Sequence, residues 1–181
     1  ACDVIASDVQ EYEDGMRFMV HGLGHLFELF VPTVGHHSVY NALAATTAAL
    51  LLGVKPEQIQ ARLAAFRNTG MRQRIYQQNG MTIIEDCYNA GPESTQAALE
   101  VLGSYHTTGK RIAVLGDMLE LGNRSSAEHY RIGRIAAEKA DVLMAYGPNA
   151  PRVIGGAITG GMNDRCAKAY DDQKKLAEAL G

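Results

Sequence analysis

The sequence predicts an α/β fold in two parts. A β-rich segment followed by two helices runs to residue 68, and a parallel sheet with flanking helices runs from residue 69 to 181. Three observations lead there. Strand-like runs at Thr82-Ile83-Ile84, Arg111 to Leu115 and Asp141 to Ala145 have centres about 29–30 residues apart, the length of a strand, a crossover helix and a parallel return strand. Helical patterns fill the intervals between them. The stretch Arg67-Asn68-Thr69-Gly70-Met71 has neither periodicity and reads as a linker.

Within the first part, Val4-Ile5-Ala6, Met16 to Val20 and Leu26 to Val31 read as strands, with turn chemistry at Glu13-Asp14-Gly15 and a stop at Pro32. His37 to Leu52 is Ala- and Leu-rich without Gly or Pro and ends at Gly53, a helix with its C-terminal cap. Pro56 and Glu57 open a second helix that places Ile59, Leu63 and Phe66 on one face. In the second part, Pro92 to Tyr105 is a helix with Ala98, Val101, Leu102 and Tyr105 aligned. Ser125-Ser126-Ala127-Glu128 has the form of a capping box, with Ile132, Ile135 and Ala136 inward. Pro151 to Ile158 and Asp171 to Leu180 read as further helices; the Gly155-Gly156 and Gly160-Gly161 pairs read as loop and break. There is no initiator Met, and the chain stops at Gly181 straight after the last helix, where the alternation calls for another strand. We therefore expect a segment of a longer chain.

Composition narrows the function. Seventeen Lys and Arg against 20 Asp and Glu give a net charge of −3, which argues against nucleic-acid or anionic-membrane binding by basic patches. The most apolar run, Ala42 to Leu52, is far short of the roughly 20 residues that cross a bilayer. Cys2, Cys87 and Cys166 form no Cys-x-x-Cys pair, so neither a disulfide framework nor a structural zinc site is expected, and a reducing, cytoplasmic setting fits. The six histidines form no His-x-x-x-His pair joined to a carboxylate, and no metal ligands are assigned.

Parallel sheets bind ligands outside the carboxyl ends of their strands. Three loops are expected at that edge: Glu85-Asp86-Cys87-Tyr88-Asn89, Gly116-Asp117-Met118-Leu119-Glu120 and Tyr146-Gly147-Pro148-Asn149. Asp86 and Asn89 are the leading candidates by position. Equally, Asp86 would cap the next helix and Asn89 would fix a turn. Asp117 would hold a ligand or bond to loop backbone, Glu120 reads as a solvated carboxylate, and Cys87 as a small, partly buried thiol. Neither a Gly-x-x-x-x-Gly-Lys-[Ser/Thr] loop nor a Gly-x-Gly-x-x-Gly occurs, so this stretch carries no phosphate cradle of a known type.

Gly35-His36-His37-Ser38-Val39-Tyr40-Asn41-Ala42-Leu43-Ala44-Ala45 resembles a helix start of the Mur ligases, the ATP-dependent amide-forming enzymes of peptidoglycan precursor synthesis. Glu85-Asp86-Cys87-Tyr88-Asn89-Ala90-Gly91-Pro92-Glu93-Ser94 is similar to a signature of the branch that adds D-alanyl-D-alanine to UDP-N-acetylmuramoyl-tripeptide. Leu115 to Gly122, followed by Ser125 and His129, is similar to that branch's next block. The sequence departs from the patterns at Ser38 and at Gly91, each standing where Asn is usual.

The resemblance implies that residues 1–68 are the tail of a central ATP-binding domain and residues 69–181 most of a Rossmann-like ligase domain. The P-loop and the Mg2+ ligands would lie upstream, so the segment alone would be inactive. By the same resemblance, Asn41 would contact adenine, Arg72 would reach the ATP phosphates with Arg74 as fallback, and Asp86 would hold the ribose hydroxyls. Asn89, Ala90 and Ser94 would shape the dipeptide side. Arg72 and Asp86 are then the catalytic candidates, with domain closure completing the site. The intact parent is expected to be a monomer with no nucleic acid partner and no membrane insertion. Two other readings stay open: a non-catalytic nucleotide-binding module, and a Mur ligase that adds a different amino acid.

Overall fold

The computed structural model describes residues 3–12, 14–68 and 70–180. Expectations resting on Cys2, Glu13, Thr69 and Gly181 fall outside these residues. The chain divides into two compact units between Gln73 and Arg74.

The first unit is an antiparallel meander backed by two helices. Strands β1 (Val4–Tyr12), β2 (Gly15–Gly22) and β3 (His25–Val31) pair in the order β1-β2-β3. Alternation sets the faces: Met16, Phe18 and Val20 point inward from β2 and Leu29 and Val31 from β3, while Arg17, His21 and Glu28 point outward. Leu23 and Gly24, at φ +50° and +78°, form the two-residue turn between β2 and β3. Helix α1 (His36–Leu51) packs Val39, Ala42 and Thr46 toward this core, and α2 (Pro56–Ala64) adds Ile59. Gly53, at φ +78°, ends α1: its N–H bonds to the Leu50 carbonyl and that of Val54 to the Ala49 carbonyl. Phe66, expected on the α2 face, lies beyond the helix end and is exposed.

The second unit opens with a hairpin, β4 (Arg74–Gln78) and β5 (Met81–Glu85), joined at Asn79-Gly80 with φ +51° and +77°. After α3 (Pro92–Ser104) come β6 (Ile112–Leu115), α4 (Ser125–Lys139), β7 (Val142–Tyr146), α5 (Ala150–Thr159), β8 (Ala167–Tyr170) and α6 (Gln173–Leu180). Strands β6, β7 and β8 form a parallel sheet in that order. The parallel sheet with flanking helices agrees with the expected fold class; its membership does not. Among the described residues β5, expected beside β6, is hydrogen-bonded to β4, and the third parallel strand is β8. The Asn-Gly dipeptide hands β5 a local antiparallel partner. The four-residue Ala-Lys-Ala-Tyr of β8 offers no β-branched run for a sequence pattern to detect.

Two further corrections concern helices. Gly155 and Gly156 lie inside α5, not in a loop. Gly156 is buried against α4: an added Cβ would overlap the Tyr130 carbonyl oxygen, and one on Gly133 would overlap that of Val153. Two glycines thus let α4 and α5 cross at backbone contact. The expected capping box at Ser125 does not form. A 3-10 turn, Gly122–Arg124, leads into α4, and Glu128 instead binds Arg131 at 2.8 Å.

Candidate functional site

The predicted residues fall in both units. Asn41 lies on the exposed side of α1, one position before buried Ala42. Arg72 is exposed in the irregular Gly70–Gln73 stretch, next to Gln73 with its left-handed φ of +44°. Asp86, Asn89, Ala90 and Ser94 occupy the segment from the end of β5 to the first turn of α3. The fallback Arg74 is engaged in the hairpin, 3.7 Å from its cross-strand partner Glu85 and with its guanidinium 4.9 Å from the Tyr76 ring centre.

The β5–α3 segment sorts its residues by burial. Asp86, Tyr88 and Asn89 are exposed, whereas Ala90 packs against the core of the second unit. Ala90 is half-buried, with its side chain packed against that core. The cap position of α3 falls on Gly91, with buried Pro92 next, so the alternative of Asp86 as helix cap does not hold. Ser94 fills the capping role from inside the helix: its hydroxyl accepts from the Gly91 N–H at 3.0 Å and donates to the Gly91 carbonyl at 3.1 Å. A Cβ at Gly91 would meet the Ser94 oxygen at 3.7 Å, an ordinary contact, so this backbone approach does not itself require glycine.

Cys87 is exposed, with Sγ 3.9 Å from the Glu85 carboxylate. Such burial as it has, then the Glu85 and Asp86 charges, push its thiol above the ordinary value. Its exposure corrects the expected partly buried thiol, and a thiol kept protonated is a poor nucleophile.

The loops after β6 and β7 lie side by side, because the parallel register pairs Leu115 with Ala145. Asp117 ties them together: its carboxylate accepts from the Asn149 N–H and from Asn149 Nδ2, each at 3.1 Å. Gly147, at φ +116°, makes room, since a Cβ there would stand 2.6 Å from Asp117 Oδ1. Asp117 is thus a strut between loops. His129, fully buried on α4, accepts from the Met118 N–H at Nε2 (2.9 Å), and its Nδ1 lies 2.7 Å from the Ser125 carbonyl. An amide N–H only donates, so the bonding pattern assigns the ring proton to Nδ1. Of the two readings of Asp117, the bond to loop backbone is the one found, at the Asn149 N–H; the Asn149 side-chain bond and the buried His129 were not foreseen, and only the order Asp117…Ser125…His129 gave a signal.

Among the described residues no group of three His, Cys, Asp or Glu side chains is placed to hold a metal ion, and no helix is long and apolar enough to cross a membrane.

Residues 71–181 match the family described as Mur ligase, glutamate ligase domain. The chain belongs to the Mur ligase family. Along 180 residues, 98% of its length, this Mur ligase chain is 36% identical to the UDP-N-acetylmuramoyl-tripeptide–D-alanyl-D-alanine ligase of Bacillus subtilis strain 168, and it spans 39% of that relative. It is also similar to a crystal structure of MurF from Acinetobacter baumannii, with a TM-score of 0.88 and 32% identity over 98% of this chain and 38% of that one. A MurF ligase from Thermotoga maritima in complex with ADP aligns with a TM-score of 0.78 at 25% identity, over 98% of this chain and 39% of that one. A Mur ligase chain of this extent covers under two-fifths of the relatives it matches.

Proposed function

We propose that this chain is part of an ATP-dependent ligase that joins D-alanyl-D-alanine to UDP-N-acetylmuramoyl-tripeptide during peptidoglycan precursor synthesis in the cytoplasm. The observation that carries the reading is likeness along nearly the whole chain to ligases named for that reaction. In this reading residues 1–68 belong to a central ATP-binding domain and residues 69–181 to the ligase domain. Free thiols at Cys87 and Cys166 suit a reducing compartment.

The chemistry sets the task. A carboxylate resists an amine because it is already an anion. Transfer of the γ-phosphoryl group from ATP to the tripeptide carboxylate forms an acyl phosphate and releases ADP. The dipeptide amine then attacks the acyl carbon, its proton departs, and the tetrahedral intermediate expels inorganic phosphate. No protein residue becomes covalently attached; the work is positioning and charge neutralisation. Asp86, an exposed carboxylate directly after β5, suits the paired ribose hydroxyls, Asn41 an adenine edge, and Arg72 the phosphates. Asn89, Ala90 and Ser94 shape the dipeptide side, Ser94 by fixing the Gly91 backbone at the start of α3. Mg2+ and the phosphate loop would be supplied outside this segment.

The test is ATP-dependent ligation by the intact ligase containing this segment, with D-alanyl-D-alanine, D-glutamate and a diamino acid offered in turn. Turnover with the dipeptide alone is expected, and none from the 181-residue chain. Preference for either other amine refutes the substrate assignment, and no turnover with any amine favours a non-catalytic nucleotide-binding module.

A further inference from the structure

The loop from Gly116 to Gly122 lies where parallel sheets receive ligands, immediately beyond the carboxyl end of β6. Its two buried fastenings are unusual for a surface connection. The Asp117 carboxylate is occupied twice over by Asn149, and the Met118 N–H is received by a histidine with no solvent exposure. The Met118 side chain is itself in the core. The segment that follows, Leu119 and Glu120, is exposed, and Glu120 is held at φ +62°. The left-handed region costs a non-glycine residue energy and is met both at tight turns, as at Leu23, and at ligand-holding positions. Among the described residues Glu120 has neither an ion pair nor a side-chain hydrogen bond.

We propose that Glu120 is the docking carboxylate for the ammonium group of the amine substrate, and that His129, with the Asp117–Asn149 strut, positions the loop that presents it. The inference rests on the ligase reading above and deepens it. An amino-acid-type substrate reaches the enzyme as an ammonium ion, and an exposed carboxylate on a rigid loop receives it without an ordering cost at binding. Of the described carboxylates that follow β6, β7 and β8 at this edge, Asp117 is occupied by Asn149, Asp171 by Lys175 and Asp172 by the Lys174 N–H, which leaves Glu120. His129 acts through the Met118 backbone and touches no substrate.

The experiment uses the intact ligase for kinetics and this 181-residue chain for amide hydrogen exchange. Turnover of D-alanyl-D-alanine by the unmodified enzyme is the baseline; its absence refutes the ligase reading, whereas the exchange result stands apart from it. Glu120→Gln is expected to raise KM for the dipeptide about tenfold, the scale of one charge-assisted contact, with kcat and KM for ATP within about twofold. His129→Leu is expected to raise the same KM and to remove exchange protection at the Met118 amide. His129→Gln, whose carbonyl oxygen reaches the Nε2 position, is expected to restore both. If His129→Leu does not fold, Asn149→Ala carries the same KM prediction. An unchanged dipeptide KM in Glu120→Gln overturns the docking role. A parallel loss against all substrates in His129→Leu, or no rescue by Gln, overturns the positioning role.

Discussion

Replacing Gly156 with Ala tests the helix crossing at the centre of the second unit. The added methyl would overlap the Tyr130 carbonyl oxygen and lie 2.9 Å from its carbon and 3.2 Å from the Arg134 nitrogen, against an ordinary contact of 3.4 Å or more. These neighbours are helix backbone, which cannot turn aside as a side chain can, so α4 and α5 must part. Ile132, Ala136, Val153 and Ala157, all buried near this crossing, would then lose close packing. Overpacking of this kind costs about 3 kcal/mol, offset by about 1 kcal/mol of helix propensity gained in replacing Gly. The net loss is about 2 kcal/mol, or a fall in Tm of roughly 10 °C for a unit of this size. Gly155 is the internal control: it is one position away in the same helix and has nothing within 4 Å of an added Cβ. Gly155→Ala should be neutral or stabilise by up to about 1 kcal/mol. Urea and thermal unfolding followed by circular dichroism and calorimetry would compare the two. Equal stability of Gly156→Ala and Gly155→Ala would refute the account of the crossing.

Thr46 is buried on α1 with its hydroxyl unpaired, so Thr46→Val should stabilise the first unit by about 1 kcal/mol, read from urea midpoints; a loss would show that the hydroxyl is satisfied. Arg72→Ala and Asp86→Ala in the intact ligase should each raise KM for ATP by about tenfold or more; unchanged ATP kinetics in both would remove them from the nucleotide site. The raised Cys87 thiol should alkylate more slowly than an unstructured cysteine at pH 8, with a rate that keeps climbing above the ordinary thiol range, because its thiolate forms only at higher pH. Removing the Glu85 charge with Glu85→Gln should bring that rate profile back toward lower pH; an unmoved profile would leave burial and the Asp86 charge as the causes.

Local patterns carried much of this protein. Alternation in Met16 to Val20 and the glycine-ended run from His37 to Leu52 specify their elements without reference to anything distant, because the periods of strands and helices are properties of neighbouring residues. The Asn79-Gly80 dipeptide is a local hairpin signal that the sequence reading did not use, and β4 went unread with it, because the regular spacing of Ile83, Ala113 and Leu143 pointed to a different partner for β5. In the candidate site, the β5–α3 segment and its order of residues were visible from Asp86 to Ser94. The inward turn of the Ala90 methyl and the use of Ser94 to close the α3 start were not.

The sequence by itself determined the alternation of strands and helices, the family signatures and the loops that bear them. Tertiary structure alone decided which of those polar residues remain available to a ligand. Asp117 meets Asn149 because parallel strands β6 and β7 bring together residues 32 positions apart. His129 loses all exposure beneath the loop after β6, whose Met118 N–H it receives from 11 positions away. Hydrogen bonds between segments so far apart along the chain leave no periodic trace, since either partner would look the same in its own neighbourhood whether it faced a substrate or the rest of the fold.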